Sequence, residues 1–134
     1  IKKILVPTDF SAGEDIERDH AWRLAKVLGS SLMFLYVLEL FGHDFRLTDE
    51  MFDAVLKKLQ ARKKREHKAV EIGEDVVKAV HSWEGIVEYA GKKDFDLIVM
   101  STTVRRLARY FLGSTTEKVI AHSRVPVYAI PREK

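Results

Sequence analysis

The sequence predicts an α/β domain built on an open parallel sheet with helices on both faces, and three observations carry that prediction. Short apolar runs alternate along the chain with segments of helical periodicity, in the pattern β-α-β-α-β-α-β-α-β. Two of the runs, 31–38 and 96–100, are nearly continuous in apolar character, as strands covered on both faces of a parallel sheet are. Two capping-box pairs, Ser11 with Glu14 and Ser114 with Glu117, stand downstream of a run, so that each strand delivers the chain to a fresh helix N-terminus. Crossovers between parallel strands are right-handed in nearly every known case, which leaves helices on both sides of the sheet.

Residues 1–7 form the first strand, which Pro7 ends because proline has no N–H to give a ladder. Thr8, Asp9, Phe10 and Ser11 make the first strand-to-helix loop. Ala21, Leu24, Ala25 and Leu28 then keep the spacing of one buried helix face, which Gly29 closes. After the strand at 31–38 and a loop at 39–48, Met51, Phe52, Val55, Leu56 and Leu59 mark a second helix. Residues 75–82 alternate enough for a strand nearer the sheet edge, and 83–92 give a short third helix stopping near Gly91. The run at 96–100 is the fourth strand, followed by Ser101 to Thr103 as loop. The helix from Ser114 reaches about His122, and 125–130 is the last strand, with Pro126 at its start.

Length and composition describe one domain spanning 1–134. With 46% hydrophobic and 32% charged residues the chain has the balance of a soluble globular protein, and its lack of cysteine removes disulfides and thiol nucleophiles together. The expected setting is cytoplasmic. No apolar run approaches the ~20 residues of a membrane span, and no charged leader precedes an apolar stretch. A net charge of +3 says little about nucleic acid. The basic stretch within 57–68 reads as a polyanion-binding stripe or, since no aromatic residue is interleaved to stack on bases, better as a solvated helix face, and nucleic acid is not expected as a partner.

Ligands of doubly wound sheets sit beyond the strand carboxyl ends, where the strand order reverses. The loops after the first and fourth strands supply that mouth, with Pro7, Thr8 and Asp9 on one side and Ser101 to Thr103, Gly113 and Ser114 on the other. A helix starting at Ser114 aims first-turn N–H groups and the positive end of its dipole there; equally, Gly113 and Ser114 make an ordinary turn and cap. No catalytic constellation is spelled out. His20, His43, His67, His81 and His122 lack ligand spacing, and Gly113-Ser114 lacks the lysine of a Walker loop, so an enzyme is not expected.

Four fragments in order, Ile-Leu-Val-Pro-Thr-Asp-Phe-Ser at 4–11, Asp-Leu-Ile-Val-Met at 96–100, Leu-Gly-Ser-Thr-Thr-Glu-Lys-Val-Ile at 112–120 and Val-Pro-Val at 125–127, together resemble the universal stress protein family over the whole chain. The resemblance implies a five-stranded parallel sheet of order 3-2-1-4-5, of the adenine nucleotide alpha hydrolase type. It also implies a homodimer through the C-terminal strand and, in one branch of the family, an ATP site at the strand carboxyl ends. Nucleotide-binding members carry Gly-x-x-Gly, a nine-residue spacer and Gly-Ser or Gly-Thr. Gly113-Ser114, followed by Thr115, preserves the second half. The first half is lost: anchoring on the fourth strand puts Ser101 and Val104 at the glycine positions, and counting nine back from Gly113 puts Met100 and Thr103 there. Glycine at these positions permits positive φ and close approach of main-chain N–H groups to phosphate oxygens.

The resemblance places Thr8 and Asp9 near adenine and ribose, and Val37 beside the adenine at the end of the second strand. The candidate cofactor-binding residues are thus Pro7, Thr8, Asp9, Val37, Met100, Ser101, Thr103, Gly113, Ser114 and Thr115, with ATP or AMP as ligand. Arg105, Arg106 and Arg109 either hold an anion by side chain or form the polar face of a helical turn. Two functions follow. One is a regulatory or interaction domain of the stress response, with a degenerate nucleotide site and a protein partner. The other is an ATP or AMP sensor.

Overall fold

The protein is described here by a computed structural model covering residues 1–8, 14–39, 50, 53–54, 56–57, 69–102 and 114–131. Its elements run β1 (Lys3–Pro7), α1 (Glu14–Leu28), β2 (Ser31–Glu39), β3 (Ile72–Ala79), α2 (Ser82–Lys92), β4 (Leu97–Thr102), α3 (Ser114–His122) and β5 (Val127–Pro131). The strands pair in parallel in the order β3-β2-β1-β4-β5, the order the family resemblance implies. Residues 50, 53–54 and 56–57 are helical; the rest of the helix expected after 50, and most of its basic tail, lie outside the described residues.

Alternation along the central strands divides the core in two. Ile4, Val6, Phe34, Leu97 and Val99 face Ala21 and Ala25 of α1, while Leu5, Leu35, Ile98 and Met100 face Ile86, Tyr89 and Ala90 of α2 and Val119 of α3. Both faces of β1 and β4 are therefore covered, which is why these strands read as unbroken apolar runs. Gly29 ends α1 at φ +67°, the left-handed conformation a helix stop favours. Leu28, expected on the buried stripe, is 41% exposed.

Several strand boundaries differ from expectation, most of all in β3, β4 and β5. β3 begins at Ile72 and stops at Ala79, three residues ahead of the predicted span at both ends. Its start is disguised by Glu74, a charged residue whose side chain is only 2% exposed because both terminal nitrogens of Arg18 donate to its Oε1 at 3.3 Å. Arg18 in turn lies 3.7 Å over the Phe34 ring. β4 continues through Ser101 and Thr102, which pair with Ile130 and Pro131, so these two hydroxyl residues are strand and not loop. β5 correspondingly starts at Val127 and ends at Pro131, two residues later and one further than predicted.

Asp75 protects the edge strand. The β2 pairing has Leu32 N–H donating to the Glu71 carbonyl, which turns the even-numbered residues of β3 outward. Val76 N–H, one of the outward groups, donates to Asp75 Oδ1 at 2.8 Å, and Tyr89 OH holds Oδ2 at 2.8 Å. One ladder position is thereby closed to a second chain.

Candidate functional site

The strand order turns back between β1 and β4, which makes their carboxyl ends the topological switch point. Among the described residues the two strands pair at Ile4–Leu97 and Leu5–Ile98. Beyond that Pro7 has no N–H to offer, and the crevice expected at a switch point falls between these strand ends. The same offset carried forward sets Thr8 level with Ser101. Ile4 and Val6 on one strand, and Leu97 and Val99 on the other, face α1, so alternation puts Thr8 and Ser101 on that same side.

Thr8 N–H donates to the Leu35 carbonyl at 2.8 Å, continuing the β1 ladder by one residue. Its side chain is packed away, the residue being 8% exposed, yet Oγ1 has no hydrogen-bond partner among the described residues. An unmet buried hydroxyl carries a desolvation penalty, and is a place where a ligand atom would be welcome. Across the crevice Ser101 has its hydroxyl and its carbonyl both engaged. Its Oγ donates to Glu17 Oε1 at 2.5 Å, its carbonyl accepts from Thr116 Oγ1 at 3.0 Å, and its backbone lies in the ladder opposite Ile130. Glu17 is 3% exposed, so the end of β4 has a buried carboxylate beside it.

A second carboxylate occupies another helix start at this end of the sheet. The residue before α2, His81, makes no side-chain cap, and Glu39 at the end of β2 takes that role, accepting from Ser82 N–H at 2.9 Å. This helix N-terminus, which would otherwise attract an anion, already holds one of the protein's own.

The other candidate residues disperse. Pro7 ends β1 half-buried. Val37 and Met100 face away from α1: Val37 packs beneath Gly85 of α2, and Met100 is buried in the cluster under α2 and α3, paired with Ala129. Ser114 opens α3 and Thr115 is half-buried in its first turn. Asp9, Thr103 and Gly113, like Val104, Arg105, Arg106 and Arg109, lie outside the described residues. The structure thus brings Thr8 and Ser101 to one crevice and sets Val37 and Met100 on the opposite face of the sheet. It also adds Glu17, which the sequence reading passed over.

Away from the crevice, a cavity of about 600 Å3 runs along the edge strand between β3 and α2, with Asp75, Lys78, Glu84, Tyr89 and Lys92 among its lining. Burial first, and the neighbouring Asp75 second, push the Tyr89 hydroxyl well above the ordinary tyrosine range, so it stays a donor to that carboxylate. Among the described residues no group of three or more His, Cys, Asp or Glu is placed to hold a metal ion, and no helix is long and apolar enough to cross a membrane.

Comparison with known proteins agrees with this architecture. The model of the universal stress protein family matches residues 1–131. The chain is 33% identical over 146 aligned residues to Universal stress protein MJ0531 of Methanocaldococcus jannaschii, covering 99% of this chain and 84% of that one. Among solved structures it is similar to universal stress protein UspA from Lactobacillus plantarum, with a TM-score of 0.78 and 24% identity over 96% of this chain and 97% of that one. It is also similar to a universal stress protein crystallised in complex with cAMP, with a TM-score of 0.75 and 23% identity over 98% of each chain. The continuous family match, together with the sheet order and the switch-point crevice, identifies this chain as a member of the universal stress protein family.

Proposed function

We propose that this domain is a regulatory and interaction module of the stress response, non-catalytic and dimeric through β5, and that it does not hold ATP as the family's nucleotide-binding branch does. The carrying observation is the commitment of Ser101. With the nucleotide motif anchored on the fourth strand, this residue stands at a glycine position and has a side chain, and that side chain is bonded to the buried Glu17 carboxylate. A phosphate cradle needs free main-chain N–H groups and room for phosphate oxygens, and this end of β4 offers a carboxylate instead. The residues present therefore do not fit a triphosphate here.

Dimerisation is supported by β5 being the far edge of the sheet, with Tyr128 41% exposed and bonded at 3.1 Å to His20 Nε2 of α1. A second reading, an AMP or ATP sensor, is favoured by the unmet Thr8 hydroxyl and by the cAMP complex of the similar protein. Titration calorimetry with MgATP separates the two. The module predicts no heat at millimolar nucleotide; micromolar binding abolished by Asp9→Ala and by Gly113→Val establishes the sensor. Light scattering at high protein concentration tests the dimer, which a monomeric mass would contradict.

A further inference from the structure

We infer that the cavity between β3 and α2 is a binding site for a free α-amino acid with an apolar side chain, held by Asp75 at its ammonium and by Lys93 at its carboxylate. The cavity lies at the outer edge of the sheet, apart from the switch-point crevice, so the inference goes beyond the function proposed above and does not depend on it. At about 600 Å3 it has the size of a small-molecule site. Asp75, half-buried, accepts from Val76 N–H and from Tyr89 OH, both at 2.8 Å, and among the described residues no cation lies within ion-pair distance of it. Burial first and Asp75 second hold the Tyr89 hydroxyl above the ordinary tyrosine range, so Asp75 faces that hydroxyl as a negative charge. A carboxylate offers about four acceptor positions, and the two filled here are met by neutral donors, which leaves room for a cationic one.

Lys93 is the opposite case. Its Nζ stands over the Tyr89 ring, 6.0 Å from the centroid, with no carboxylate of the described residues in ion-pair reach. The other charges of the lining are differently placed: Lys92 is held by Glu88 at 2.7 Å, Lys78 has a partner of its own, and Glu84 is exposed to solvent. One tyrosine ring therefore has a carboxylate at its hydroxyl and an ammonium over its face, and the two do not meet. A gap of that kind is bridged by the ammonium and carboxylate of an α-amino acid, each making one charged hydrogen bond. The termini of a peptide stand too far apart to serve both. Val77, Ala79 and the Tyr89 ring line the same space and give an apolar side chain its contacts.

The test is titration calorimetry on the intact chain with L-leucine, with N-acetyl-L-leucine, which lacks the ammonium, and with L-leucinamide, which lacks the carboxylate. Leucine binds, and each analogue binds at least about tenfold more weakly, the loss expected for one hydrogen bond to a charged group. Asp75→Asn and Lys93→Gln each weaken leucine by a similar factor. The asparagine still accepts from Val76 N–H and bonds Tyr89, so the fold is kept, which circular dichroism checks. No heat at millimolar leucine overturns the inference, and so does either analogue binding as tightly as leucine. Both measurements use the unaltered protein and do not depend on a variant folding. Lysine or glutamate bound more tightly than leucine overturns the assignment of an apolar side chain. Folded variants that keep the parent affinity for leucine overturn the roles of Asp75 and Lys93.

Discussion

Gly85→Ala is a one-carbon change whose effect follows from the way α2 lies on the sheet. A Cβ at position 85 would stand 2.7 Å from Val37 Cγ1, 3.2 Å from Val37 Cγ2 and 3.2 Å from Ala79 Cβ. Carbon atoms rest at about 3.5–4.0 Å, so the new methyl intrudes on all three neighbours. None of them can step aside cheaply. Val37 is β-branched with restricted χ1, and the Ala79 Cβ is fixed to the backbone of β3. The strain therefore passes to α2 as a whole, and overpacking of this kind costs roughly 1–3 kcal/mol. Alanine gains back about 1 kcal/mol of helix propensity over glycine. The net expectation is a loss of roughly 0–2 kcal/mol, or up to about 8 °C in Tm for a chain of this size. Urea unfolding followed by circular dichroism measures it. Val37→Ala provides the control: alone it destabilises, but combined with Gly85→Ala it vacates the space the methyl needs. The double variant should then be about 1 kcal/mol more stable than the sum of the two losses. A Gly85→Ala protein more stable than the original, or additive behaviour in the pair, would refute the contact.

Three further outcomes are expected. Glu74→Ala leaves Arg18 buried without its carboxylate and should cost about 3–5 kcal/mol in urea unfolding, whereas Arg18→Met with Glu74→Leu should recover most of that loss. Tyr89→Phe removes the bond to Asp75 and should cost about 1 kcal/mol at neutral pH. Because the folded hydroxyl titrates above the ordinary tyrosine range, its contribution is present below about pH 10 and is lost as pH climbs beyond it, so the two unfolding midpoints should converge in alkali. Asp96 Oδ2 accepts from the N–H groups of Lys2 and Lys3 at 2.9 and 3.0 Å, which hold its carboxyl below the usual range. That contribution exists above the unfolded carboxylate pKa and disappears as pH falls through the folded one. Asp96→Asn should therefore be less stable at neutral pH, with the gap closing as pH falls through the acid range; a pH-independent difference would count against it.

Much of the fold was legible because burial on both faces leaves a plain mark. The runs at 31–38 and 96–100 are apolar throughout since α1 covers one side of the sheet and α2 and α3 the other. Gly29 closes α1 and Ser114 opens α3 where the sequence placed them, while Ser11 lies outside the described residues. The strand order is a different matter. Periodicity cannot distinguish which parallel strand lies beside which, and the order came from the likeness of four fragments to a family. Boundaries failed where polar residues were drawn into the sheet by partners far away in sequence. Glu74 looked like the end of a loop because its counter-ion, Arg18, belongs to another element, and Ser101 looked like a loop because Glu17 does.

The crevice was legible as a place and obscure in its chemistry, for a reason visible in α1. The stripe of Ala21 and Ala25 extended backward by helical spacing falls on Glu17 and Arg18, and both are buried. Two adjacent opposite charges on an inward helix face read as a lapse in the pattern when only the helix is considered, and the natural response is to start the buried stripe later. Burying a charge is tolerable only when it is paired or hydrogen-bonded, so a charged residue on such a stripe is itself a statement that the sheet beneath supplies a partner. Here it supplies two, Glu74 from the edge strand and Ser101 from the strand beside the switch point. The first pairing ties α1 to β3. The second ties α1 to the end of β4, so one turn of the helix is fastened both to the edge strand and to the strand beside the switch point.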